Sequence, residues 1–301
     1  MPNGGPATRD AMKKRLLLFL PYVPWPLMRG TYQRVYHLAE QLGRHFEVDL
    51  FCLSSEPGAK EHVDRFRSFC ARVHFEPFQH PPWPPFLTER IWNPLPVTVR
   101  HWWSDRVLEN LRSFTAGRSY HIVDFCDLVL WPYVKQVFPD HPLRVMDRSR
   151  VDWLYQTELL GTLKQGPVAK TMARENLMKI ARMEREVRAE LALTIVCGPD
   201  DETFLSAKLG PSERVFVLAN GANVGFFNAD EWPPEPTPHP SALFCGALDY
   251  TPNTDGLAWY FSEIHPRVIE RMPEFKILLV GKNPTEQVRS FATLPGVDFA
   301  G

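Results

Sequence analysis

No charge of either sign dominates this sequence: 34 lysines and arginines stand against 35 aspartates and glutamates, a formal net charge of −1 over 301 residues. Without a clustered positive footprint, nucleic acid is not an expected partner. Long apolar runs are missing too. The longest near the N-terminus, residues 16–23, is broken by Pro21 and followed by Pro24 and Pro26. It is too short to span a bilayer and lacks the small-residue cleavage site of a secretory signal, so a strand is expected there and the chain is expected in the cytoplasm. The five cysteines, Cys52, Cys70, Cys126, Cys197 and Cys245, are odd in number and widely spaced, with no Cys-x-x-Cys pair to hold zinc or run redox chemistry. Most fall in expected strands, where a thiol acts as a small apolar filler. There is no His-x-x-x-His pair, and Asp124 and Asp127 are spaced differently from a metal-holding Asp-x-Asp, so no metal is expected. Neither a Gly-x-Gly-x-x-Gly fingerprint nor a complete P-loop occurs, which disfavours nicotinamide chemistry and P-loop nucleotide binding.

What is present is a chain that can build a core, 44% hydrophobic and 12% aromatic, the opposite of a disordered composition. Short apolar runs alternate with longer helical patterns, the signature of an α/β fold with parallel strands covered on both faces. Strands are expected at 15–20, 47–53, 72–75, 121–125, 144–146, 193–197 and 215–218. After a stiff, proline-dense stretch from Trp232 to Pro240, a second series follows at 242–245, 276–280 and 297–300. This gives a first domain over 12–221, a linker over 222–240 and a second domain over 241–301. Between strands, Thr31–Leu42 places Val35, Leu38, Ala39 and Leu42 on one helical face, with Gly43 as its stop. A long helix over 170–190 carries Glu184, Arg185, Glu186 and Arg188, expected as a solvated face of intrahelical pairs. About sixty residues bury little surface and supply only three strands, so the second domain is expected to be incomplete and the chain a fragment of something longer.

Open parallel sheets bind ligands at the carboxyl ends of their strands, which singles out four loops. Arg29-Gly30 follows the first strand and opens a helix, where a bare backbone and a positive dipole end suit an anion, or where glycine is only a turn residue. Asn220-Gly221 is a strong turn signal, followed by Phe226 and Phe227, which also read as core anchors. Gly246 leads to Asn253, Thr254, Asp255 and Gly256. Either Asn253 or Thr254 suits an N-cap, but Gly256 costs a helix about 1 kcal/mol against alanine and is explained better by close approach of a phosphate. Last comes Gly281-Lys282-Asn283-Pro284, read as strand, glycine and helix start.

Together these loops resemble the family 4 glycosyltransferases of GT-B fold. Asn220-Gly-Ala-Asn-x-x-Phe-Phe is similar to that family's linker, Phe244-Cys-Gly-Ala-Leu-Asp-Tyr-Thr-Pro-Asn-Thr-Asp-Gly to its donor-site strand, loop and helix, and Ile277-Leu-Leu-Val-Gly-Lys-Asn-Pro to its next strand and turn. Arg29-Gly30, Val145-Met-Asp147 and Ile195-Val-Cys-Gly are placed as in the branch whose members often build exopolysaccharides.

The resemblance implies a GT-B-like pair of Rossmann-like domains and a retaining, hexosyltransferase-type reaction from a nucleotide diphosphate sugar to a carbohydrate or lipid-linked hydroxyl acceptor. No metal or other cofactor is implied. Gly246, Asn253, Gly256, Gly281 and Lys282 would line the donor, and Arg29, Gly30, Asn220 and Gly221 the cleft and acceptor. Asp127 and Asp124, at the tip of the fourth strand, would lie where many members carry a histidine facing the sugar, and Asp147 at the end of the fifth; each also suits a helix cap. The chain departs from the family at Ala247 and at Thr254 or Asp255, where many members carry phosphate-binding Arg and Lys, leaving Lys282 or Arg29 to neutralise charge. The family's paired donor-site glutamates would fall beyond Gly301, so little turnover is expected of these 301 residues alone.

One further segment, 83–106, interleaves Trp83, Phe86, Trp92, Trp102 and Trp103 with Arg90, Arg100, His101 and Arg106. It suits peripheral contact with the inner face of a membrane or a lipid-linked acceptor, or else a loop folded onto its own domain. Rival readings of the whole chain are a GT-B nucleotide-sugar epimerase, a non-catalytic sugar- or nucleotide-binding protein, and a degenerate transferase kept for partner binding.

Overall fold

The computed structural model describes residues 13–55, 62–81, 90, 92–162, 166–228, 230–231, 233 and 236–300. Trp83, Phe86, Trp232 and Gly301 lie outside the described residues. The chain divides into two compact units, with the boundary between Gly221 and Ala222.

The apolar runs of the first unit form β1 (Arg15–Leu20), β2 (Glu47–Ser54), β3 (Arg72–Pro77), β4 (Ile122–Cys126), β5 (Arg144–Asp147), β6 (Leu193–Val196) and β7 (Val215–Val217). They pair in the order β3-β2-β1-β4-β5-β6-β7, and every pairing is parallel. The chain therefore winds outward from β1 to β3, returns, and winds outward again from β4. The reversal falls between β1 and β4, whose register aligns Phe19 with Phe125. In such sheets this reversal opens a crevice at the carboxyl ends of the two strands.

Alternation along the strands feeds two cores. Leu17, Phe19, Phe51, Val123, Phe125 and Met146 face helices that contribute Leu108, Leu111, Val134, Ile180 and Leu205. Leu16, Leu18, Leu20, Leu50, Cys52 and Cys126 face the other way, toward Val35 and Ala39 of α1 (Gly30–His45) and toward Phe66. With helices on both faces the sheet is doubly wound, as the apolar pattern requires.

Two local expectations change in the first unit. Gly43 does not stop α1, which runs on to His45. A Cβ at position 43 would come within 2.2 Å of the Phe69 carbonyl oxygen, so the glycine is there for close packing. Nor is 184–188 a solvated face. The helix Pro167–Glu190 turns Ile180, Met183, Glu184 and Val187 inward. Glu184 is 2% exposed and takes a bidentate ion pair from Arg148, at 2.9 and 2.7 Å, while Glu186 accepts from Trp131 and Lys135. Helical phase placed Glu184 inside, and a buried guanidinium makes that position tenable.

In the second unit β8 (Ser241–Cys245), β9 (Lys276–Val280) and β10 (Val297–Ala300) form a parallel sheet in the order β10-β9-β8. Its core is Leu248, Leu257, Phe261, Ile277, Leu279, Val288 and Val297. The helix after β8 starts at Thr251, earlier than a cap at Asn253 or Thr254 would set it, and Tyr250 in the N-cap position offers no side-chain acceptor. Proline fixes φ at the second helical position and lets the helix begin there. After β9 the next helix is Glu286–Ser290, capped by Thr285, so Lys282 lies in a loop and not at a helix start. Phe226 and Phe227 are 65% and 71% exposed and are not core anchors.

Candidate functional site

The candidate site of the first unit is built at the β1–β4 reversal. The loop after β1 brings Tyr22 against Tyr32 of α1, with the rings stacked at 4.8 Å, and Arg29 lies over Tyr32 at 5.2 Å. α1 opens on Gly30, where a Cβ would meet nothing within 4 Å and no side chain caps the helix. Neither packing nor backbone angle asks for glycine there.

Asp127 follows β4 directly. Its φ of 68° and ψ of 154° lie in a region that is nearly glycine-only. Its Oδ1 accepts from the Ser149 backbone N–H at 3.2 Å and faces the Ser149 hydroxyl at 3.4 Å. Burial, followed by the charge of Asp152, pushes the Asp127 carboxyl up to about 6, against the opposing influence of the Ser149 amide and of Arg148 and Arg150. A partly exposed carboxyl titrating near neutrality can exchange a proton with a bound hydroxyl.

Asp124 and Asp147 lie deeper, 5% and 2% exposed, on the α1 side of the sheet. Asp147 ends β5 and Asp124 sits inside β4, one layer below the strand tip where the sequence placed it. Arg34 of α1 donates from Nη2 to Asp147 Oδ1 at 3.0 Å. Burial raises the Asp147 carboxyl, with Arg34 opposing, and raises the Asp124 carboxyl as well, the charge of Asp147 adding to the burial and Arg34 opposing it. Asn220 joins the same group through its Oδ1, which accepts from Arg34 Nη1 at 3.1 Å, and the exposed Gly221 follows it.

The sequence missed Arg34, Ser149, Tyr22 and Tyr32. A signal existed for Arg34, which lies next to Val35 and one turn before Leu38, an inward position for a charge. Ser149 had none, since only the strained turn at Asp127 brings it into place.

In the second unit the expected donor residues separate by cause. A Cβ on Gly281 would lie 1.8 Å from the Gly246 carbonyl oxygen, and one on Gly246 would lie 2.9 Å from Asn253 Nδ2. Asn253 donates to the Ala247 carbonyl at 2.9 Å. Backbone contact between the two loops thus accounts for Gly281, while the Asn253 side chain, held on the Ala247 carbonyl, leaves no room for a Cβ at Gly246. The backbone amides of Asn253 and Thr254 are taken by the Tyr250 carbonyl, and Pro252 has none. Gly256 differs: it is exposed in the second helical turn, nothing lies within 4 Å of its missing Cβ, and its φ is ordinary. Lys282 is exposed in the loop after β9.

Of the tryptophan-rich segment, most described members fold onto their own unit. Trp102 stacks on Phe78 at 5.6 Å and Trp103 on Tyr133 at 4.6 Å. Arg90 pairs with Glu175, and Arg106 with Glu76. Trp92 is the exception, 85% exposed. Leu95, Trp103, Trp131 and Met183, with Lys135 and Glu186, line a cavity of about 290 Å³. Among the described residues no helix is long and apolar enough to cross a membrane, and no group of three or more His, Cys, Asp or Glu side chains is arranged to hold a metal ion.

No protein-family model matches the chain, and no curated protein matches it. Solved structures do. HepE from Anabaena, in complex with UDP-glucose, is similar with a TM-score of 0.53 at 13% identity, over 95% of this chain and 68% of that one. A glycosyltransferase from Rickettsia africae matches with a TM-score of 0.52 at 11% identity, over 96% and 68%. The N-terminal domain of a Candida albicans trehalose-6-phosphate phosphatase matches at 0.53 and 11%, over 98% and 73%. These likenesses establish the fold expected from the sequence, a mixed α/β chain of GT-B, Rossmann-like type with a parallel seven-stranded sheet.

Proposed function

We propose that this chain is a glycosyltransferase that takes a sugar from a nucleotide diphosphate donor and passes it to a hydroxyl acceptor. The observation that carries this reading is Asp127. A carboxyl pushed up to about 6, aimed by Ser149 and held in a backbone conformation that costs about 1–3 kcal/mol, is an expensive arrangement at the place where such sheets bind ligands. The fold shared with a structure bound to UDP-glucose gives the donor class its support. In this reading Asp127 orients or deprotonates the acceptor hydroxyl. In it Arg34 holds Asp147 and Asn220 together, and Arg29 and Gly30 at the start of α1 take part in acceptor binding. The second unit takes the diphosphate, with Gly256 leaving open backbone and Lys282 supplying positive charge. Transfer with retention, to a carbohydrate or lipid-linked acceptor in polysaccharide or glycolipid synthesis, follows from the family resemblance. The exposed indole of Trp92 supports a lipid surface nearby.

The test is a screen of nucleotide diphosphate sugars for donor cleavage by the protein at its full natural length, with and without carbohydrate acceptors. One nucleotide sugar should be consumed, and Asp127→Asn should lower the rate about a hundredfold or more. Consumption of none, or an unaltered rate in the variant, overturns the reading or the role of Asp127, respectively.

A further inference from the structure

The last strand of the first unit is weakly held. β7 has three residues and pairs only with β6, and Phe216 and Leu218 are 55% and 36% exposed. Little apolar burial fixes its end. The Leu218 amide donates to the Val196 carbonyl at 2.9 Å. Among the described residues the other anchors come from one side chain of α1: Arg34 Nη1 donates to the Leu218 carbonyl at 2.8 Å and to Asn220 Oδ1 at 3.1 Å, while Nη2 of the same guanidinium holds Asp147 Oδ1 at 3.0 Å. The Arg34 side chain is 7% exposed and that of Asp147 is 2%.

We propose that Arg34 is a positioning residue that fixes the exit of the first unit, Leu218–Asn220, to the tip of β5, holding Asp147 and Asn220 in register. The rigid guanidinium fork is suited to this, because its nitrogens meet separate acceptors in one plane, which a lysine ammonium on a flexible stem does not do. The charges are consistent with it. Two carboxyls and one guanidinium share the space, and burial together with the charge of Asp147 raises the Asp124 carboxyl, with Arg34 opposing. The thiols of Cys126 and Cys197, the other titratable groups facing Asp147, are raised by burial and are uncharged. Arg34 Nε, Asp124 Oδ1 and Asp147 Oδ2 have no hydrogen-bond partner, so the group's grip rests on the contacts named above.

The inference stands on this geometry and not on the transferase reading. Its test is amide hydrogen exchange on the whole chain in the wild type, Arg34→Met, Asn220→Ala, and Arg34→Met combined with Asp147→Asn. In Arg34→Met the Leu218 amide should exchange about tenfold faster or more, the loss expected for charged hydrogen bonds, while amides between β1 and β2 keep their protection. Asn220→Ala, which removes one exposed acceptor, should accelerate Leu218 by a smaller factor. The double variant removes the stranded carboxylate, so it should recover thermal stability yet keep the fast Leu218 exchange. Unchanged protection of Leu218 in Arg34→Met overturns the proposal. So does its return in the double variant, which would make Arg34 only a counter-charge to Asp147. If Arg34→Met does not fold, the double variant and Asn220→Ala give the same decision.

Discussion

Gly246 and Gly281 touch through their backbones: the place where a Gly281 Cβ would sit is 1.8 Å from the Gly246 carbonyl oxygen. Alanine at 281 has to push two strand ends apart, since the obstacle is main chain and not a side chain that can turn away. Gly281→Ala should destabilise the second unit by about 1–3 kcal/mol, the usual cost of overpacking, read as a lower denaturant midpoint for the probe Trp259. Gly246→Ala meets only the Asn253 amide group and should cost less.

Gly256 predicts the opposite sign. Alanine there meets nothing and gains helix propensity, so Gly256→Ala should stabilise the second unit by up to about 1 kcal/mol. If the diphosphate lies on that turn, the same variant binds nucleotide diphosphate more weakly in a calorimetric titration. Equal affinity together with higher stability removes Gly256 from the donor site.

At Asp127 the usual preference for alanine over glycine should invert. Alanine keeps the conformational cost at φ 68° and ψ 154°, and glycine relieves it. Asp127→Gly should therefore be more stable than Asp127→Ala by about 1–3 kcal/mol in chemical denaturation. A normal ordering would mean the turn relaxes once the carboxyl is gone.

The same residue gives a pH dependence. Its carboxyl in the folded chain, at about 6, lies above that of an unfolded aspartate, so the folded form binds more protons and stability falls as pH rises through roughly 4 to 6. Wild type should lose on the order of 2–3 kcal/mol across that window relative to Asp127→Asn, which cannot titrate. Parallel stability curves for the two would place the carboxyl back in the ordinary range.

Trp92 separates a lipid surface from a loop folded on itself. Trp92→Ala should leave the melting temperature within a degree or so, because the indole is 85% exposed, and should reduce flotation with anionic liposomes. Trp102→Ala, which removes a stacked ring, should lower stability instead. Equal flotation of wild type and Trp92→Ala counts against membrane contact at this residue.

The strands were legible because buried parallel strands write themselves as short apolar runs, and β1, β9 and β10 fall at the residues where the sequence put them. Helix ends were less legible. Gly43 looks like a stop in one dimension and is a packing contact in three, and the start at Thr251 depends on Pro252 more than on a capping side chain. Asp127 and Asp147 were singled out because they end strands, where such sheets bind ligands, and Asp124 on the same ground although it lies inside β4. Their partners were not, because Arg34 is 113 residues from Asp147 and Ser149 is 22 from Asp127, separations that no local pattern encodes. Glu184 shows the limit of charge patterns: the same run of alternating signs describes a wet helix face or a buried pair, and only the position of Arg148 decides.

The seating of α1 has a mechanical corollary. At Gly43, near its far end, the helix packs so closely on the Phe69 carbonyl that even one extra carbon has no room. A longer side chain there would have to shift the backbone of Phe69, so the register of α1 against the sheet, and with it the place of Gly30 beside β1, is written into one missing carbon.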